Sequence, residues 1–249
     1  PRLMSRREKC DVLGQLGIDY LLIIRFDEQI RRMEPAEFVF DIIVDKLCCK
    51  HLIIGDDFKF GRDGRGSFEL LQTLGLEHSF SVQPTSTFDI DGERVSSTRI
   101  RQLLEKAEFE VAEQLLGRPY SITGKVVYGK QLGRSLGVPT ANIELHREKA
   151  AMSGVYAVNA RLEGEQHWHT GVAKVGTRPT VEDTTKAILE VHLLDFQADL
   201  YGKRVEVQFC KKIRDEEKFS SLDTLQRQID QDVLQVKSWF KQRKPVCGK

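Results

Sequence analysis

The sequence predicts a two-part chain: an α/β half built on a parallel sheet, then an all-β antiparallel barrel with a long C-terminal helix. Three observations predict this fold class. Short apolar runs alternate with amphipathic helical segments in the first ~115 residues, which is typical of a parallel α/β sheet. Beyond that point the pattern changes to short strands separated by turns. Finally, apolar residues near the C terminus recur at spacings of three and four, the pattern of one long helix.

The elements of the first half follow from their apolar patterns. Buried strands are predicted at Asp19–Phe26 and Lys50–Phe58, with a third in the run SFSVQPT. A helix is predicted in EPAEFVFDIIVDKLCC, where Pro35 suits the first turn, and another in FELLQTLGLEH, ending near Gly75. One or two further helices that end at Gly117 are predicted from SSTRIRQLLEKAEFEVAEQLLG.

The second half contains five strand-like runs, which indicate an antiparallel barrel or sandwich. They are YSITGKVVYG, GVYAVNARL, HWHTGVAKVG, ILEVHLLDF and RVEVQFCKKI. We place the boundary between the halves near Gly117–Tyr120, where Pro119 interrupts the pattern. The predicted domains are therefore residues 1–117 and 118–249, both of ordinary domain size.

A single long helix is predicted from Ser221 to about Lys241, with Ser220 and Asp223 as a capping box at its start. Its apolar residues form one stripe that we expect to face the rest of the domain. The stripe consists of Leu222, Leu225, Ile229, Val233, Val236, Trp239 and Phe240.

Composition indicates a soluble globular protein. The chain has 38 basic and 37 acidic residues, a formal net charge of +1, and this balance argues against a nucleic-acid partner or a membrane-surface partner. Its longest apolar runs are far shorter than the ~20 residues of a membrane span. The five cysteines form no C-x-x-C pair, and the charged start PRLMSRREKC does not resemble a secretory signal. We therefore expect a reduced, cytoplasmic protein.

The run LGRSLGVPTANI is the strongest candidate for a phosphate-binding loop. Gly129, Gly133 and Gly137 allow the backbone to approach a polyphosphate, and Arg134 adds positive charge. Thr140 and Asn142 stand two residues apart, so on an extended segment both side chains share one face. Their hydroxyl and amide oxygens are ligands of the kind that Mg²⁺ prefers beside substrate phosphates. The alternative is an ordinary surface loop, because the same residue types are common in turns.

A carboxylate in the run AILEVHLLDF is the candidate general base. Glu190 lies between Leu189 and Val191 on a predicted strand, and in a barrel pocket it could deprotonate a substrate hydroxyl. The alternative is a solvent-facing strand residue. His192 is expected to be a packed or edge histidine, and no third ligand accompanies His167 and His169 to make a metal site.

Two motifs in the first half suit a nucleotide. The run GDDFKFGRDGRG, which contains Asp57, follows a predicted strand, where ligands bind in open α/β sheets. In VSSTRIR, a helix begins with Ser97, Thr98 and Arg99, and such an N-terminus can hold phosphate. The alternatives are a plain glycine-rich turn for the first motif and helix capping for the second.

Five separated motifs in the second half closely resemble the riboflavin kinase domain of bacterial bifunctional riboflavin kinase/FAD synthetases. In order they are GKQLGRSLGVPTANI, SGVYAV, GTRPTV, LEVHLLDFQADLYGKRVEVQF and KKIRDEEKFSSLDTLQRQIDQD. The resemblance covers roughly residues 118–241. The motifs of the first half, with EKCDVLGQLGIDYLLIIRFDEQI, resemble the FAD synthetase half of that family, a nucleotidyltransferase of the HxGH type.

The resemblance implies a role for each candidate residue. Thr140 and Asn142 would hold Mg²⁺ with the ATP phosphates beneath the Gly129–Gly137 loop, and Glu190 would be the base for the ribityl 5′-hydroxyl of riboflavin. Arg214 would lie in the segment that closes near the flavin. In the first half, the resemblance implies that Ser97, Thr98 and Arg99 contact ATP phosphates during transfer of AMP to FMN, which gives FAD, and that Asp57 lines that site.

The sequence departs from the family pattern at two places. Lys174 stands where the family usually has Asn, and a lysine cannot accept the hydrogen bonds of an amide oxygen. The family's GxFDGxHxGH segment is absent, and the only histidines before residue 100 are His51 and His78. We therefore expect an N-terminally shortened member that phosphorylates riboflavin and has little or no adenylyl transfer. The alternatives are a non-catalytic flavin- or nucleotide-binding fragment and, from a different class, a barrel that binds nucleic acid.

Overall fold

The computed structural model describes residues 2–55, 57–85, 88–129, 137–145, 149–179 and 185–243. The helices are α1 (Arg6–Gln15), α2 (Glu28–Arg32), α3 (Pro35–Phe38), α4 (Phe68–His78), α5 (Ser97–Glu105), α6 (Phe109–Leu116) and α7 (Leu222–Gln242). The strands are β1 (His51–Gly55), β2 (Ser81–Thr85), β3 (Asp89–Ile90), β4 (Glu93–Arg94), β5 (Ser121–Val127), β6 (Ala141–Ile143), β7 (Gly154–Leu162), β8 (His169–Pro179), β9 (Thr185–Leu193) and β10 (Arg204–Arg214). The chain divides into two compact units, one of Asp19–Val95 and one of Pro1–Ile18 with Ser96–Lys249.

The unit of Asp19–Val95 is built on a parallel pair of strands. Strands β1 and β2 pair from His51 with Ser81 to Gly55 with Thr85, and α4 connects them, as predicted for an α/β sheet. Helix α3 continues directly into a π-helix at Val39–Lys46. The predicted helix is therefore present, with an α-helical first turn and a π-helical remainder. Apolar side chains from these elements form the core of this unit: Met33, Val39, Ile42, Ile43, Ile54, Phe60, Leu71, Leu74 and Phe80.

The strand predicted at Asp19–Phe26 is wrong. This segment has no regular secondary structure, and Tyr20 is 94% exposed while Ile24 is 39% exposed. An apolar run becomes a strand only where a neighbouring strand completes its hydrogen bonds. Among the described residues, β1 pairs only with β2, and no strand pairs with this run.

Besides α7, three described helices of the larger unit lie outside the barrel: α1, α5 and α6. The first, α1, begins at Ser5, whose hydroxyl accepts a hydrogen bond from Glu8 N, and sequence analysis did not predict this helix. Glu8 is only 6% exposed, and its carboxylate accepts a hydrogen bond of 2.7 Å from Thr123 N, which attaches α1 to the barrel. Helices α5 and α6 confirm the predicted helical run, and Gly117 ends α6 in the left-handed conformation that glycine favours.

The larger unit contains the predicted antiparallel barrel. Six strands close in the order β10-β5-β6-β9-β8-β7, and all neighbouring strands are antiparallel. The five predicted strand runs form β5, β7, β8, β9 and β10, while β6 comes from the segment with Thr140 and Asn142. Apolar side chains fill the interior of the barrel. Nearly fully buried examples are Val126, Ile143, Val158, Ala160, Ala173, Val175, Leu189, Val191, Val205 and Val207.

The long C-terminal helix is confirmed, and its cap lies one residue later than predicted. Ser221, not Ser220, is the N-cap, and it forms a capping box with Thr224 rather than Asp223. Ser221 has the extended backbone of a capping residue and stands immediately before Leu222, the first helical residue. The C-terminal part of the apolar stripe, including Val236, Trp239 and Phe240, packs on the outer wall of the barrel.

Among the described residues, no helix combines the length and the apolar character that a bilayer crossing requires. Helix α7 is the longest, and it carries charged residues along its length.

Candidate functional site

One row of paired residues crosses the outer wall of the barrel and defines the candidate site. Arg214 on β10 pairs with Val155 on β7, and Val155 pairs with Lys174 on β8. Lys174 in turn pairs with Glu190 on β9, which pairs with Asn142 on β6. Paired residues of an antiparallel sheet point to the same face, with Cβ atoms about 5 Å apart. The register therefore places Glu190 between a cationic side chain and an amide.

Glu190 lies on the outside of the barrel. Its neighbours Leu189 and Val191 are each 1% exposed and fill the interior, so the carboxylate between them projects from the opposite face. We expected this carboxylate in a pocket of the barrel. The pocket exists, but it is formed between the outer wall and α7, because apolar side chains already fill the interior.

This first cavity has a volume of about 570 Å³ and brings three predicted site residues together. Thr140, Glu190 and Arg214 all line it, together with Lys174 and His192 from the barrel wall. Its opposite wall is the N-terminal part of the α7 stripe: Leu222, Leu225, Ile229 and Val233. One wall is therefore polar and bears a carboxylate, and the other is apolar, which suits a ligand with a flat apolar part and a hydroxylated tail.

A second cavity, of about 700 Å³, lies on the other side of Thr140. Thr140 lines both cavities, as part of the Pro139–Ala141 segment in the second. The far wall of the second cavity is formed by the chain after β9, including Phe196, Leu200 and Tyr201. The ring of Tyr201 stacks on Tyr128 with centroids 4.0 Å apart. Two ligands bound in these cavities would meet at Thr140.

Two contacts position Thr140 and Asn142. The amide of Asn142 lies so close to Gly129 that a Cβ atom at position 129 would collide with it. His192 Nδ1 donates a hydrogen bond of 2.9 Å to the carbonyl oxygen of Pro139, which joins the turn before Thr140 to β9. The sequence pattern predicts no site role for His192. Its spacing of two from Glu190 was the available signal, because it puts both side chains on one face.

Arg214 is held by a buried carboxylate of α7. Asp232 is 4% exposed and receives hydrogen bonds from Arg214 Nε at 2.9 Å and from Nη2 at 2.8 Å. A further bond runs from Arg214 Nη1 to the carbonyl oxygen of Asp215. The guanidinium also lies over the ring of Phe219, 5.6 Å from its centroid. Asp232 was not among the predicted site residues, although a carboxylate beside Val233 interrupts the apolar stripe and was a usable signal.

Lys174 also makes an ion pair at the edge of the first cavity. Its Nζ is 3.2 Å from Glu216 Oε1, and the two side chains are 45% and 33% exposed. Glu216 belongs to the segment between β10 and α7 and also lines this cavity. The position that departs from the family pattern therefore joins two walls of the site.

Of three further residues predicted in the phosphate-binding loop, Gly133, Arg134 and Gly137, the structure describes only Gly137. Gly133 and Arg134 lie outside the described residues. Gly137 is exposed and has a φ of 71°, a conformation that glycine adopts without strain.

The predicted nucleotide residues of the first half are divided between the two compact units: Asp57 is in the smaller unit, and Ser97, Thr98 and Arg99 are in the larger one. Asp57 is exposed just after β1, and its carboxylate is 4.0 Å from Arg94 Nη2. Ser97 and Thr98 are exposed in the first turn of α5, and Arg99 N donates to the hydroxyl of the N-cap Ser96. Helix capping, the alternative predicted for this motif, is therefore performed by Ser96 at the start of α5.

The side chains present at the site fit a hard divalent cation. Among the described residues, no three or more His, Cys, Asp or Glu side chains form a group that could hold a metal. Thr140 and Asn142 instead offer a hydroxyl and an amide oxygen on one face of the chain, and oxygen ligands of this kind suit Mg²⁺ when substrate phosphates supply the rest.

Two family models match this chain: one described as riboflavin kinase at residues 116–240, and one described as FAD synthetase at residues 1–99. The bifunctional riboflavin kinase/FMN adenylyltransferase of Escherichia coli (strain K12) is 45% identical over 245 residues, which is 98% of this chain and 78% of the relative. The Pseudomonas fluorescens protein of the same name is 44% identical over 238 residues, 96% of this chain and 76% of its own.

A crystal structure described as a macrolide-efflux protein from Streptococcus pneumoniae is similar in fold and sequence. It superposes with a TM-score of 0.75 at 30% identity, over 95% of this chain and 76% of that one.

Proposed function

Because the chain belongs to the family of bifunctional riboflavin kinase/FMN adenylyltransferases, we propose that it transfers the γ-phosphate of ATP to the 5′-hydroxyl of riboflavin and so makes FMN. The observation that carries this proposal is the position of Thr140, Asn142 and Glu190 around one point. Thr140 lies between the two cavities, and register places Asn142 beside Glu190.

The two cavities suggest where each substrate binds. We assign riboflavin to the 570 Å³ cavity, because Glu190 and the apolar residues of α7 line it. ATP then occupies the 700 Å³ cavity, which adjoins β5, the strand that leads into the Gly129–Gly137 loop. Residues Gly133 and Arg134 of that loop remain predicted phosphate contacts. This arrangement brings the two reacting groups together, which supplies much of the rate enhancement in phosphoryl transfer.

Glu190 is the proposed general base. Its carboxylate accepts the proton of the ribityl 5′-hydroxyl as that oxygen bonds to the γ-phosphorus, and ADP leaves with the electrons of the broken P–O bond. Mg²⁺ held by Thr140 and Asn142 would neutralise the charge of the ATP phosphates. Arg214 is proposed to position the cavity walls, because its guanidinium donates hydrogen bonds to Asp232 and so joins β10 to α7. Its predicted contact with the flavin remains a proposal.

The test of this proposal is the variant Glu190→Gln, which keeps the shape of the side chain and removes the base. We expect kcat for FMN formation to fall about 10²- to 10⁴-fold while riboflavin still binds. Glu206→Gln is the matched control, since Glu206 is a strand carboxylate of the same barrel, paired with Arg161 and lining neither of these cavities. A Glu190→Gln variant with unchanged turnover would show that the carboxylate is not the base. A chain that binds both ligands without turnover would support the non-catalytic alternative.

We also propose that residues 1–117 form the FMN adenylyltransferase domain and residues 118–249 the kinase domain. The FAD synthetase model, which matches residues 1–99, supports the first assignment, with Asp57, Ser97, Thr98 and Arg99 as proposed ATP contacts. The 249 residues contain no HxGH histidine pair to stabilise charge on the reacting phosphates. Mass spectrometry of the products formed from riboflavin and MgATP tests both assignments. FMN reports the kinase step, and FAD with pyrophosphate reports adenylyl transfer.

The proposed partners are small molecules only, and a nucleic-acid or membrane partner is not part of the proposal. The cytoplasmic location expected from the cysteines also stays a prediction. The described cysteines, Cys10, Cys48, Cys49 and Cys210, are all free thiols.

A further inference from the structure

We propose that Lys174 and Glu216 form an ionic latch that closes the flavin cavity and sets how tightly flavin is held. This inference rests on the proposed function, because it takes the 570 Å³ cavity as the riboflavin site. The latch joins strand β8 to the segment Asp215–Ser220, which connects β10 to α7 and which we call the strap.

Backbone pairing does not hold the strap against β8. In the barrel order, β7 separates β8 from β10, and β10 ends at Arg214, so no ladder joins the strap to β8. The contact with β8 comes from the side chain of Glu216, which makes the 3.2 Å ion pair with Lys174. The same carboxylate lies against Gly176, so closely that a Cβ atom there would collide with it. The Glu216 carboxylate therefore contacts two residues of β8, Lys174 and Gly176.

Arg214, the residue immediately before the strap, is held more firmly than Glu216. Arg214 is tied to Asp232 of α7 by short, largely buried hydrogen bonds, and Phe219 lies beneath its guanidinium. The Lys174–Glu216 pair is considerably more exposed than the Arg214–Asp232 pair, whose side chains are 17% and 5% exposed. Opening the cavity at the latch therefore costs less than separating α7 from the barrel.

The latch lies where it can act on a bound flavin. Lys174 and Glu216 both line the cavity, and Lys174 pairs in register with Glu190, the proposed base. With the latch closed, the strap covers a flavin that lies between the barrel wall and α7. With the latch open, the ligand loses that cover and dissociates faster. Lys174 and Glu216 are thus positioning residues for the flavin rather than catalytic residues.

Salt dependence distinguishes a latch from a direct contact. Riboflavin carries no net charge near neutral pH, so screening cannot weaken a charge–charge contact between protein and ligand. An exposed ion pair, by contrast, is weakened as the Debye length falls from ~10 Å at 0.1 M to ~3 Å at 1 M. If the latch is real, riboflavin binding weakens as salt rises, and the variants without the ion pair lose this dependence.

The experiment is a double-mutant cycle with Lys174→Met, Glu216→Gln and their combination. The readout is the Kd of riboflavin, measured by flavin fluorescence at low and high salt, with KM and kcat for FMN formation alongside. We expect each single variant to raise Kd about twofold to fivefold at low salt, as for an exposed ion pair, with little change in kcat. The double variant should be no weaker than the single ones, because each removes the same interaction.

Two further variants control the result. Lys237→Met removes a comparable exposed ion pair, with Asp195 at 3.0 Å, that does not line this cavity, and it should leave riboflavin affinity unchanged. Lys174→Arg keeps the charge and should retain most of the affinity and its salt dependence. Additive losses in the cycle, unchanged affinity in Glu216→Gln, or an equal salt dependence in the double variant would each overturn the latch. If the unaltered protein itself neither binds nor phosphorylates riboflavin, the proposed function fails instead.

Discussion

The contact between Arg214 and Asp232 connects the fold to the site, and Asp232→Asn tests its strength. This substitution removes the negative charge and leaves the shape of the side chain almost unchanged. Asp232 is 4% exposed and accepts bonds of 2.8–3.1 Å from Arg214 and one of 3.0 Å from Gln228. Asparagine keeps one carbonyl oxygen, so part of this network survives while the guanidinium loses its counter-charge.

Removing one member of a buried ion pair costs about 3–5 kcal/mol, because the remaining charge stays desolvated. Arg214 keeps 17% exposure of its side chain and a hydrogen bond to the Asp215 carbonyl, which places Asp232→Asn at or just below the lower end of this range. We expect a loss of about 2–3 kcal/mol in the free energy of unfolding. For a unit of this size, that corresponds to a melting temperature lower by about 5–10 °C.

Thermal and urea unfolding followed by circular dichroism measure this loss. Asp230→Asn is the matched control, since Asp230 lies on the same helix, is exposed and contacts only Gln226 within the side-chain bonds described. The double variant Arg214→Met with Asp232→Leu should be more stable than Asp232→Asn, because neither buried charge remains. The reasoning would be refuted if Asp232→Asn were as stable as the unaltered protein. It would also be refuted if the double variant were less stable than Asp232→Asn.

Three other predictions follow from single contacts. Gly129→Ala should raise KM for MgATP about tenfold, because the new methyl group displaces the amide of Asn142. Steady-state kinetics at varied MgATP measure this, and an unchanged KM counts against the role of Asn142. His192→Asn, whose amide nitrogen can replace Nδ1 as donor to Pro139, should keep far more activity than His192→Leu, and equal losses would exclude this positioning role. Burial raises the pKa of the Cys210 thiol to about 11, so at pH 8 it holds less thiolate and should react with a thiol reagent more slowly than exposed Cys48, as mass mapping would show.

Much of the barrel could be predicted from the sequence, because strand alternation is a local property. Five strand runs and the C-terminal helix are present as expected, and alternation already placed Glu190 and His192 on one face. Alternation does not determine which residues of neighbouring strands are paired. The row from Arg214 to Asn142, which brings Lys174 beside Glu190, therefore became visible only in the structure.

Other failures have the same origin in long-range contacts. The run Asp19–Phe26 has the apolar pattern of a buried strand, yet no described strand pairs with it. The α7 stripe is continuous in sequence, but Leu222 and Leu225 line a cavity while Val236 packs on the barrel. Periodicity identifies an apolar face and gives no information about what covers it. Arg214 likewise suggested a flavin contact, whereas its strongest partner is Asp232, 18 residues further along the chain.

The central claim is that the two substrates meet at Thr140, Asn142 and Glu190, and a crystal structure with riboflavin and a non-hydrolysable MgATP analogue tests it most directly. The account predicts the isoalloxazine ring between the barrel wall and α7, and the ribityl 5′-oxygen about 3 Å from the Glu190 carboxylate. It also predicts Thr140 and Asn142 as the protein ligands of the metal. A flavin bound outside this cavity, or a metal held by other side chains, would contradict the account.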